Sequence, residues 1–144
     1  MFSKACEYAI RATIHIAVQS TQGKRVSLKD IAKAIDSPEA FTAKILQQLS
    51  RGYIVDSVKG PSGGFIIEKE NMSKINLSQI VSAIDGDSIF NGCGLGLKKC
   101  SENHPCPVHD KFKAIREALR NMLENTSVYE LSIGLTSGLT FLKR

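Results

Sequence analysis

Three observations predict a mainly α fold with one small β-hairpin: a winged helix-turn-helix plus a long C-terminal dimerisation helix. Apolar residues recur at three- and four-residue steps in several separate segments. Two of those segments are short and are joined by the tight turn Asp36-Ser37-Pro38-Glu39. Two β-prone stretches, 54–58 and 64–67, then flank the turn-rich sequence Lys59-Gly60-Pro61-Ser62-Gly63. A chain of 144 residues, 42% hydrophobic and 23% charged, is long and apolar enough for one small core with an added segment.

The elements follow in order. Ala5 to Gln19 reads as a helix on the spacing of Tyr8, Ala9, Ala12, Ile16 and Ala17, closed by Gly23. Ser27 is placed to cap the next helix, with Asp30 in its first turn and Leu28, Ile31, Ala32 and Ile35 on one face. Ser37 is expected to cap the third helix and Pro38 to open it. Phe41, Ile45, Leu46 and Leu49 form its inward stripe, and Ser50-Arg51-Gly52 ends it. The hairpin after it is the wing.

Leu77 to Asp85 gives a further short helix, stopped by Gly86. Residues 90–109 have no period and read as a long loop. Asp110 to Asn125 is the longest expected helix, with a coiled-coil-like seam of Phe112, Ile115, Leu119 and Met122 that suits a second copy of the chain. Residues beyond Glu130 are expected to fray. The expected organisation is a DNA-binding unit over 1–85, a cysteine-rich sensor loop over 86–109, a dimerisation helix over 110–131 and a tail over 132–144.

A formal charge of +5, spread over both halves of the chain, suits a nucleic-acid partner. No apolar run reaches the length of a membrane span, and the N-terminus has no secretory core, so a cytoplasmic protein without a membrane partner is expected. No Cys-x-x-Cys, nucleotide loop or catalytic dyad points to an enzyme, which leaves a redox or cluster-transfer role as a remote alternative.

Cys93, Cys100, Cys106 and His109 stand at the spacing Cys-x6-Cys-x5-Cys-x2-His. Thiolates and imidazole are ligands for an iron–sulfur cluster or for zinc. Structural zinc sites more often use closely paired cysteines, which this loop lacks, and a switch based on thiol oxidation is the third possibility. Cys6 lies apart and reads as a packed thiol.

The strings Asp30-Ile31-Ala32, Phe41-Thr42-Ala43-Lys44-Ile45-Leu46-Gln47-Gln48-Leu49, Gly52-Tyr53-Ile54-Val55 and Lys59-Gly60-Pro61-Ser62-Gly63-Gly64-Phe65 resemble the Rrf-two family of bacterial transcription regulators. The resemblance runs from about Phe2 to Leu131. The family's Arg-Gly-x-x-Gly-Gly-Tyr wing stands here with Lys59 for Arg and Phe65 for Tyr.

The resemblance implies a homodimer that binds double-stranded DNA at a two-fold operator, with the third helix in the major groove. Glu39, Ala40, Thr42, Ala43 and Lys44 would then reach base edges. Ser27 and Lys29 would meet phosphate, and the wing residues Lys59, Gly60, Pro61, Ser62 and Gly63 would enter the minor groove.

For the cysteine loop, the resemblance implies a 2Fe-2S or 4Fe-4S cluster on Cys93, Cys100 and Cys106. In some iron–sulfur members of the family, a histidine three residues after the last cysteine completes the set, the offset of His109. In others an acidic residue on the first helix of the other subunit does so, and Glu7 is near that position. Family members of this kind sense redox state, nitric oxide or cluster supply.

Overall fold

The structure is a computed structural model that describes residues 1–143; Arg144, the end of the expected tail, lies outside the described residues. Helix α1 (Lys4–Thr21) is capped by Ser3, whose hydroxyl accepts from the Cys6 amide at 3.0 Å. It is one residue longer than the C-terminal helix that the sequence makes longest. Its buried face carries Cys6, Ala9, Ala12, Ile16 and Ala17.

Helix α2 (Leu28–Ala34) is capped by Ser27 as the sequence predicts, with the hydroxyl accepting from Asp30 N at 3.2 Å. Asp36 then takes a left-handed conformation, φ 54°, which Asp tolerates better than most residues. That reversal lets the Ser37 amide donate to the Ala32 carbonyl at 2.9 Å and turns the chain into α3 (Glu39–Arg51).

The start of α3 differs from expectation. Pro38 occupies the cap position and Glu39 is the first helical residue. The Ser37 hydroxyl does not cap the helix amides; it bonds the hydroxyl of Thr42. Proline preceding the first turn leaves fewer amides to satisfy, so the serine is free for this local contact. Phe41, placed in the inward stripe, is only half-buried and sits edge-on to Tyr8, with ring centroids 5.6 Å apart.

The wing is a two-stranded antiparallel hairpin of β1 (Asp56–Val58) and β2 (Gly64–Ile66), paired Asp56 with Ile66, Ser57 with Phe65 and Val58 with Gly64. The strands are shorter than the β-prone runs, because Ile54, Val55 and Ile67 leave the ladder and are buried in the core. A single-turn helix, α4 (Lys69–Met72), follows and buries Met72. The sequence pattern did not signal it, since only one of its residues faces the core.

Helix α5 (Leu77–Asp85) has a reciprocal capping box between Asn76 and Gln79. The short α6 (Ser88–Asn91) takes Phe90 out of the expected loop and buries it. Helix α7 (His109–Asn125) begins at His109 itself, one residue before its predicted start.

The segment beyond Glu130 is a second departure. Residues of α8 (Val128–Thr136) form a helix capped by Ser127 and packed along α1. Val128 N donates to Ile75 O at 2.8 Å and Leu77 N to Thr126 O at 3.1 Å, so the end of α7 is tied to the start of α5. One continuous cluster of buried side chains runs from Ile16 through Ile31, Leu46, Leu49 and Ile80 to Leu123 and Val128.

Candidate nucleic-acid interface and cysteine loop

Three stretches of backbone build the wing. Val26, between α1 and α2, forms an antiparallel bridge with Phe65, donating to Phe65 O at 3.0 Å and accepting from Phe65 N at 2.8 Å. The bridge fixes the hairpin to the N-terminal end of the helix-turn-helix. It also explains the double glycine. A Cβ on Gly63 would lie 2.1 Å from Val58 O, and one on Gly64, where φ is +142°, would lie 2.7 Å from Val26 O. No other residue type fits that close approach.

The exposed side chains of Ser27 and Lys29 on α2, of Glu39, Ala40 and Lys44 on α3, and of Lys59, Pro61 and Ser62 at the wing tip are free of the core, as is Gly60. Ala43 and Gly63 are partly covered. Thr42 is different and corrects the expectation that it reaches a base. It is fully buried, and its hydroxyl donates to Pro38 O at 2.8 Å while pairing with Ser37. Its role is to hold the first turn of α3, which positions Glu39 and Lys44 on the outer face.

The cysteine loop brings two of its predicted ligands into contact. Cys100 Sγ lies 3.4 Å from His109 Nδ1. Backbone amides of Leu95 and Leu97 lower the Cys93 pKa below the usual thiol value, with Cys106 adding to the effect. The thiolate is the form that binds metal. Among the described residues, no three His, Cys, Asp or Glu side chains converge as a metal site. Glu7 is exposed on α1 and pairs with Lys4 at 3.4 Å, apart from the loop.

The donor set nevertheless fits a soft metal centre in its chemistry. His109 is buried to 7% exposure at the start of α7, and its Nε2 is buried with no partner. An unsatisfied ring nitrogen of that kind is costly unless something else occupies it. Two arginines of α7 fasten the loop and the α6 that precedes it. Arg116 donates to Gly92 O at 2.7 Å and to Cys100 Sγ at 3.4 Å; Arg120 donates to Phe90 O at 2.8 Å and to the Asn91 side chain at 3.0 Å. Glu102 pairs with Lys113, which holds the Glu102 carboxyl below its usual range. Sequence reasoning did not find these arginines, since their function depends on where the loop folds back.

Comparison with known proteins decides what this geometry belongs to. The family model described as Rrf2, iron-dependent transcriptional regulator, matches residues 2–132. The chain belongs to the Rrf2 family. A putative HTH-type transcriptional regulator of Aquifex aeolicus is 32% identical over 133 residues, covering 91% of this chain and 90% of that protein. The HTH-type transcriptional regulator IscR of Pectobacterium atrosepticum is 27% identical over 124 residues, covering 86% of this chain and 74% of that one. In fold, this Rrf2 protein matches the global cysteine regulator CymR of B. subtilis with a TM-score of 0.74 at 20% identity, covering 92% of this chain and 96% of that one. It matches T. potens IscR with the same score at 17% identity, covering 97% and 91%.

The winged-helix assignment therefore stands, and the Rrf2 chain is a DNA-binding transcription regulator. Its relatives are regulators, not enzymes. No described helix is long and apolar enough to cross a membrane.

Proposed function

We propose that this Rrf2 protein is a cytoplasmic homodimeric transcription regulator whose DNA affinity is set by an iron–sulfur cluster held on the loop of residues 93–109. The observation that carries the reading is His109, whose buried Nε2 has no partner while its Nδ1 lies against the Cys100 thiol, on a loop that carries two further cysteines. Cys93, Cys100 and Cys106 would hold the cluster, with His109 as the fourth ligand; the partner subunit's Glu7 is the alternative. When bound, the cluster would supply a centre that reacts with oxidants or nitric oxide.

The chain's own residues connect that loop to DNA binding. Holding one centre with all four donors requires Cys93 and Cys106 to close on the Cys100–His109 pair. Arg116, bonded to both Gly92 and Cys100, passes any such change to α7. Phe112, Ile115 and Met122 leave an apolar face of α7 open to solvent, at 40%, 66% and 47% exposure, which suits the α7 of a second copy. A shift of α7 then resets the spacing of the two α3 helices, and only one spacing fits a two-fold site. A coupling of about 1–3 kcal/mol is typical of such linkage.

For DNA, Glu39, Ala40, Ala43 and Lys44 are proposed to face base edges, Ser27 and Lys29 to meet phosphate, and Lys59 to Gly63 to enter the minor groove. The test is binding of holo and metal-free protein to the same duplex. A difference of at least ~5-fold supports the linkage, and equal affinity contradicts it. The units proposed are 1–85 for DNA, 86–109 for sensing and 110–131 for dimerisation; the expected tail, 132–144, begins inside α8, which packs on α1.

A further inference from the structure

We propose that Lys24 and Arg25, on the turn between α1 and α2, extend the wing's contact along the DNA phosphate backbone. The inference rests on the DNA-binding reading and adds two residues that neither the helix-turn-helix pattern nor the wing motif contains.

The geometry begins with Val26. Its bridge to Phe65 places the residues just before it alongside the wing. Arg25 Nη1 donates to Ser62 O at 3.3 Å, so the guanidinium lies against the wing tip itself. A concavity of about 490 Å³ is lined by Gly23, Lys24, Arg25, Ser62, Gly63 and Ile66. Both cations also border a second hollow on the α2 side, where Lys33 and Lys143 add positive charge. The Nζ of Lys143 reaches the Lys33 carbonyl at 3.5 Å.

The charge of this surface is not neutralised from within. Among the described residues, the ion pairs are Lys4 with Glu7 and Lys113 with Glu102, and neither is here. Asp30 is the one carboxylate lining either hollow, against Lys24, Arg25, Lys33 and Lys143. His15, also on that wall, has its pKa lowered by burial despite the nearby Asp30. An exposed, unpaired basic strip continuous with a wing that enters a groove matches the run of phosphates flanking that groove. Arginine suits such a partner because its fork can bond a phosphate with the donors left over from Ser62.

The test uses the full-length protein and two probes of equal length: a duplex that the wild type selects from random DNA, and a scrambled duplex. Binding is titrated at several salt concentrations. The Lys24→Ala, Arg25→Ala double variant is expected to bind both duplexes several-fold more weakly. Its slope of log affinity against log salt is expected to fall by about 0.9 for each phosphate that the variant no longer neutralises. Arg25→Lys, which keeps the charge, is expected to keep the slope and most of the affinity. Unchanged affinity and slope in the double variant overturn the proposal. Weaker binding with the wild-type slope overturns it too, since that marks Arg25 as a support of the wing only. A wild type that binds no duplex removes the DNA-binding reading itself and this inference with it.

Discussion

The amide and carbonyl of Val26 are both bonded to Phe65, at 3.0 and 2.8 Å, so the wing is the outer part of a three-stretch ladder rooted in the α1–α2 turn. The hairpin is therefore oriented by the same backbone that starts the helix-turn-helix. Substitutions in it act on DNA binding through this root as well as through the tip.

Gly64→Ala is the direct probe of that root. The added Cβ would meet Val26 O at 2.7 Å in a backbone conformation that side chains rarely adopt. A cost of at least ~1 kcal/mol is expected, read as a lower denaturation midpoint, together with weaker DNA binding. Gly60→Ala serves as the contrast: its Cβ meets nothing within 4 Å, and only its φ of +105° is unfavourable. Its loss of stability should be the smaller of the two.

Thr42 and Lys44 should separate structural from recognition roles on one helix. Thr42→Val removes the hydroxyl bonded to Pro38 O while keeping the buried shape. It is expected to cost ~1 kcal/mol of stability and to leave the preferred DNA sequence unchanged. Lys44→Ala, on an exposed position, is expected to leave stability unchanged and to alter base preference. Thermal unfolding and selection from random DNA read the two effects.

The two faces of α7 should also respond differently. Leu123→Ala opens a hole at a fully buried position and is expected to cost about 2–5 kcal/mol in unfolding experiments. Ile115→Glu changes a residue that is 66% exposed in the single chain. It is expected to leave the fold of one chain intact and to shift the proposed dimer to monomer in sedimentation.

Cys6 gives a prediction in pH. Burial, reinforced by the nearby Asp85 carboxylate, pushes its pKa up from 9.0 to about 12. Between those values the unfolded chain releases the thiol proton and the folded chain keeps it. Stability from this group is therefore full below pH 9 and is lost as pH rises toward 12, at ~1.4 kcal/mol per pH unit. The difference in stability between the wild type and Cys6→Ala should shrink over that range in metal-free protein. Cys6 should also resist alkylation at about pH 8 while Cys93, whose pKa is lowered by backbone amides, reacts first.

The sequence pattern was informative wherever local chemistry decided the structure. Ser27 as a cap, the inward faces of α1 and α2, and the tip of the wing follow from residue type and spacing. It failed where distant parts decide. The tail helix α8 has a local start signal in Ser127 and Glu130, but its packing on α1 and the bond joining Val128 with Ile75 leave none. Thr42 looks like any exposed helix residue until the Ser37-Pro38 turn is seen to wrap its hydroxyl. The ligand types of the cysteine loop were legible, but the contact of Cys100 with His109 and the grip of Arg116 and Arg120 were not. A long aperiodic loop carries no information about which helix it folds against.

The proposed iron–sulfur cluster on this loop has a direct spectroscopic signature. The most direct measurement is the visible spectrum of protein purified without oxygen, with iron, sulfide and zinc determined on the same sample. Broad visible absorption with matching iron and sulfide, both lost in Cys100→Ala, is the expected result. A colourless protein carrying one zinc per chain, or one that takes up no iron after anaerobic reconstitution, would contradict it.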